Sequence, residues 1–163
     1  MSTTIRLAIL ILTSVFIGCS SNTPKEKDEE NSSTAQVSER LGQYTEEVEQ
    51  RNESLDDLCS RMKEIETELL ELTAEPSVSV EKLELMLERI REAKHIVTKV
   101  INILHSNAKD RIEIAKMREA NSKSCLAAQT FLKLAEAHIQ QLRELEEQEE
   151  QIQALLAKKK RQQ

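Results

Sequence analysis

The stretch that decides the fold runs from residue 37 to residue 72, VSERLGQYTEEVEQRNESLDDLCSRMKEIETELLEL. Its apolar residues fall at 37, 41, 44, 48, 55, 58, 62, 65, 69 and 72. The steps alternate between four and three, with one beat missing at Arg51. In heptad terms Leu41, Val48, Leu55, Met62 and Leu69 occupy a, while Val37, Tyr44, Leu58, Ile65 and Leu72 occupy d. Such a repeat keeps one face of a helix against a partner helix over its whole length. On the wet side, Glu47 with Arg51 and Asp57 with Arg61 are spaced for i,i+4 ion pairs. Gly42 lies off the seam, where it costs about 1 kcal/mol against alanine.

Composition extends this reading to the rest of the chain. The 163 residues include two Gly, two Pro, no Trp and 2% aromatics, and 32% are charged, with a net charge of −6. Residues that favour sheets and turns are scarce, and helix formers dominate. After residue 35 only Gly42 and Pro76 punctuate the sequence. Pro76 disfavours helical geometry at Glu75, and Ser77 or Ser79 can cap a following helix with Glu81 near its positive end. An antiparallel hairpin is therefore expected at Pro76.

From Val80 onward there is neither Gly nor Pro. One apolar stripe runs Val80, Leu83, Leu87, Ile90, Val97, Ile101, Leu104, Ala108. Another runs Phe131, Ala135, His138, Leu142, Leu145, Ile152, Leu156. The two disagree in register between about 108 and 128, so the helix either shifts register or breaks. HSNAKD at 105–110 and ANSKS at 120–124 are the candidate breaks. A disulfide between Cys59 and Cys125 would select the first, because that break brings the two cysteines to one height. The body, residues 36–163, is thus expected to be all-α: an elongated antiparallel helical hairpin or a three-helix bundle with coiled-coil packing. With the disulfide its helices would lie near 36–74, 79–105 and 109–158. Without it, a two-helix hairpin with an overhanging arm fits equally.

The first 35 residues read differently. Arg6 precedes LAILILTSVFI at 7–17, an apolar run of secretory length and too short to span a bilayer. Gly18, Cys19 and SSN follow. Phe16, Ile17, Gly18 and Cys19 resemble the lipobox of bacterial lipoproteins, with Phe16 where that family usually has Leu. The resemblance implies a signal peptide over 1–18, cleavage by signal peptidase II before Cys19, and a diacylglycerol on the Cys19 sulfur. Such an anchor contributes about 0.8 kcal/mol per buried methylene. Ser20 resembles the residue that favours sorting to the outer rather than the inner membrane. Residues 20–35, SSNTPKEKDEENSSTA, have nothing apolar larger than alanine and read as a tether behind the lipidated cysteine, with an r.m.s. span of about 20–25 Å.

Little in the chain points to chemistry. His95, His105 and His138 are not at metal-ligand spacing with one another or with a cysteine. The carboxylate run ELEEQEEQ at 144–151 reads as a solvated helix face. No glycine-rich phosphate loop exists. No catalytic residue, metal ligand or cofactor is assigned, and the protein is expected not to be an enzyme. Lys158, Lys159, Lys160 and Arg161 complement a helix C-terminus, or form a basic tip for an anionic surface. Nucleic acid is a poor partner for an exported chain of net negative charge. The expected role is a lipid-anchored interaction module of the bacterial cell envelope. It would bind an envelope protein or a copy of itself. The alternative is a spacer between membrane and peptidoglycan, held through the basic C-terminus.

Overall fold

A computed structural model describes residues 34–74, 78–117 and 122–162. Three α-helices make up nearly all of them: α1, Thr34–Ala74, α2, Val80–Met117, and α3, Ser122–Lys160. At 41, 38 and 39 residues they are closely matched in length, each about 60 Å long. The leader, Cys19 and most of the tether lie outside the described residues, as does Pro76. Thr34 and Ala35, read from sequence as tether, already belong to α1.

The chain runs up, down and up. α2 packs against both α1 and α3, more extensively against α3. Its start is built as the sequence implies. The Ser79 hydroxyl accepts from the Lys82 amide at 3.2 Å, and the Ser79 carbonyl accepts from the Leu83 amide. Glu81 sits in the first turn, and hydrogen bonds from its own backbone amide and from Ser79 lower the pKa of its carboxyl.

Each helix buries its heptad stripe. Met62, Ile65 and Leu69 of α1, Ile90, Val97 and Val100 of α2, and Leu145 and Ile152 of α3 are at most 2% exposed. α2 carries two stripes, one towards each neighbour, so its buried residues outnumber those of α1 and α3. Ion pairs across the seams fix the register. Arg61 meets Glu92 at 2.7 Å between α1 and α2. Arg91 and Lys94 meet Glu149 at 2.8 and 2.9 Å, and Lys160 meets Glu84 at 2.6 Å, between α2 and α3.

The expected choice between two breaks resolves against HSNAKD. α2 runs through residues 105–110 without interruption and ends at Met117, and α3 begins at Ser122 within ANSKS. The reason is packing: Asn107 and Ala108 are almost wholly buried and Asp110 is 9% exposed. Residues that could have capped a helix end are instead interior residues of a continuous one. The disulfide that would have selected the first break is absent: no bond joins Cys59 to Cys125. The α1–α2 pairs place Cys59 level with about residue 98 of α2, and the α2–α3 pairs place Cys125 level with about residue 116. Those levels are roughly 27 Å apart at 1.5 Å per residue, beyond any disulfide. Cys59 is buried and Cys125 exposed.

Candidate functional site

Midway along the bundle the aliphatic core gives way to polar groups. Arg51 occupies the heptad beat that lacks an apolar residue, and its side chain crosses to α2. Its Nη1 donates to Asn107 Oδ1 at 3.3 Å and to the Asp110 carboxylate. Its Nη2 donates to Glu47 Oε2 at 2.6 Å, which is the i,i+4 pair read from the sequence. One guanidinium thus spans three acceptors on two helices, using its planar fork. On α3, at nearly the same height, His138 is 2% exposed and hydrogen-bonds through Nδ1 to Gln141 Oε1, 2.9 Å away. Burial lowers the imidazole pKa, and the Gln141 bond only partly offsets this.

Beside this layer an open groove of about 490 Å³ separates α1 from α2. Leu58 and Ile103, both half-buried, form its apolar floor. Ser54 and Asp57 line the α1 side, and Lys99 and Asn102 the α2 side, all four exposed. Asp57 was expected to pair with Arg61. Arg61 instead donates to Glu92 of α2 at 2.7 Å and to Glu64 of its own helix at 2.8 Å. The hydrogen bond from Arg61 is the main reason that the Glu92 carboxyl is held below its ordinary pKa, with Arg89 adding to it. Asp57 and Lys99 make no ion pair with a described residue, so a carboxylate and an ammonium face each other unpaired across the groove.

Glu149 plays the part of Arg51 on the other seam. It stands at a heptad position of α3 and is half-buried. Arg91 first, and Lys94 second, lower the pKa of its carboxyl by hydrogen bonding. In the sequence Arg51 stands out as the missing beat and the partner of Glu47 but not as a bridge to α2, and Glu149 reads only as part of a solvated carboxylate run, whereas its side chain is 14% exposed. The signal available was an interrupted heptad on one helix and a polar run of matching depth on its neighbour.

The basic tip divides. Lys159 Nζ donates to the Val78 carbonyl and Lys160 pairs with Glu84, so both stitch the end of α3 to the start of α2. Lys158 and Arg161 are exposed and make no ion pair with a described residue. This tip lies at the end of the bundle where α1 stops and α2 starts, and the N-terminus of α1 lies at the opposite end. Among the described residues no three of His, Cys, Asp and Glu gather as metal ligands, and no helix is long and apolar enough to cross a membrane. Compared with protein-family models, with curated proteins and with solved structures, the chain matches none.

Proposed function

We infer that the protein is a lipid-anchored envelope lipoprotein whose helical body binds another helical surface without catalysing a reaction. The observation that carries this reading is the α1–α2 groove. It has an apolar floor and exposed polar walls, with Asp57 and Lys99 on opposite walls and in no ion pair with a described residue. Such a surface suits docking against another helical surface. The lipobox-like Phe16–Cys19 supplies the anchor, and Ser20 favours the outer membrane over the inner. The anchor is tested by labelling with a palmitate analogue: wild type should carry the label in the membrane fraction and Cys19→Ala should not. The module is tested by photo-cross-linking from groove positions in whole cells. A body that captures no protein removes the interaction reading.

A second reading has one specific observation in its favour. The N-terminus of α1 and the basic tip stand at opposite ends of a rod about 60 Å long. A spacer from membrane to peptidoglycan needs that polarity. Lys159 and Lys160 are committed within the bundle, which leaves Lys158 and Arg161 for an anionic polymer. Co-sedimentation with purified peptidoglycan, lost on deleting residues 158–163, favours the spacer.

A further inference from the structure

We propose that the groove partner is a second copy of this chain, joined through a two-fold axis that runs parallel to the bundle. The proposal rests on the interaction-module reading and deepens it by naming the partner. Two identical grooves can face each other about two kinds of axis, and each pairs different residues. If the axis lies across the rod, α1 faces α1 and α2 faces α2. Asp57 then approaches the other copy's Asp57 and Lys99 its Lys99, which sets like charges together at the centre.

An axis along the rod gives the opposite result. It keeps every residue at its own height and brings α1 of one copy against α2 of the other. The register set by Arg61–Glu92 and Arg51–Asp110 puts Asp57 level with about residue 100 of α2. Asp57 of each copy therefore meets Lys99 of the other, twice over. Leu58 and Ile103 of both floors close on one another, and Ser54 comes level with the opposing Asn102. The patch is self-complementary, as an isologous interface must be. Asp57 and Lys99, which make no ion pair with a described residue of their own chain, find one in the dimer.

Chain direction points the same way. An axis along the rod sets both α1 N-termini at the same end, where two lipid-anchored copies would enter one membrane. The transverse axis would send them to opposite ends. Confinement to a membrane raises the effective concentration, so a patch of this modest size can suffice.

The test uses the full-length lipidated chain in lipid vesicles, where energy transfer between labelled copies should show a dimer for wild type. Asp57→Lys or Lys99→Asp alone should raise its dissociation constant at least about tenfold, since either reversal sets like charges together. The combined charge swap should restore dimerisation, while helix content by circular dichroism stays unchanged in all four proteins. A monomeric wild type, single reversals without effect, or a swap that fails to restore dimerisation each overturns the proposal. A photo-cross-linker at Asn102 separates this failure from that of the broader reading. Cross-links to α1 of another copy near Ser54 support the dimer. Cross-links to a different protein overturn it and leave the module standing, and no cross-link removes both.

Discussion

Arg51 shows how one side chain sets helix register in this protein. It interrupts the apolar seam of α1, yet it is the group that Asn107 and Asp110 are buried against. Its side chain remains 23% exposed and that of Asp110 13%, so the pair is partly wet and falls below the cost of breaking a fully buried one. Arg51→Ala should therefore destabilise the fold by about 2–3 kcal/mol, mostly through the polar groups it strands. Replacing Arg51, Asn107 and Asp110 together by Leu should recover most of that in urea unfolding. His138 gives a residue-scale effect of different origin. Burial keeps its imidazole neutral in the folded protein, whereas an unfolded imidazole protonates near 6.5. The unfolded state thus binds the extra proton first, and stability falls as pH drops below about 6.5. Glu92 and Glu149 act in a separate window. Their depressed folded pKa values contribute fully above the unfolded value near 4.5 and are lost as pH falls through the folded ones. Wild type should accordingly lose stability between pH 7 and 5.5, and His138→Leu should flatten that interval while keeping the steeper loss at lower pH.

At the scale of helices, α1 carries one clear defect. Gly42 is exposed in the helix interior, and a methyl group built there meets nothing within 4 Å. Gly42→Ala should stabilise the protein by about 0.5–1 kcal/mol, read as a rise in the urea midpoint without change in slope. The helices themselves are legible in the sequence because heptad spacing is a local property: α1 and the α3 stripe from Phe131 to Leu156 follow from it, and turn chemistry narrows the α2 cap to Ser77 or Ser79, of which the structure uses Ser79. The end of α2 is not local. HSNAKD looks like a break until Arg51 on another helix supplies partners for Asn107 and Asp110. ANSKS, which also carries Ser and Asn, is where α3 begins, at Ser122. The groove was illegible for a related reason. It depends on Arg61 choosing Glu92 across the seam over Asp57 on its own helix, and sequence spacing favours the wrong one. The cysteines were read through a break that does not exist.

Taken end to end, the bundle is built from two unlike halves. Towards the end where α1 stops and α2 starts the core is aliphatic and large, with Leu55, Met62, Ile65 and Leu69 set against Ile90, Ile96, Val97, Val100, Leu145 and Ile152. Beyond the Arg51 and His138 levels the buried apolar residues are Val48, Ile114 and the alanines 108, 128 and 135, among the described side chains. Ile112, Leu126 and Leu132 remain exposed there. Each large aliphatic side chain buried contributes about 1.5–3 kcal/mol, so the half bearing the α1 N-terminus is the weaker by several such groups. Opening should begin at that end and stop at the polar layer, where the core thickens. Native-state hydrogen exchange measures this directly. Amides of 38–50 and 126–134 should exchange through local openings of low free energy and little denaturant dependence. Those of 60–70, 86–101 and 144–154 should exchange only with global unfolding. Met62→Ala should lower the second group by about 2–5 kcal/mol, the cost of truncating a buried methionine. It should leave the first group nearly unmoved, because Val48, Ala108, Ile114 and Ala128 stand outside the hydrophobic cluster that holds Met62. Equal loss of protection at both ends would mean that the Arg51 layer transmits strain along the rod instead of dividing it.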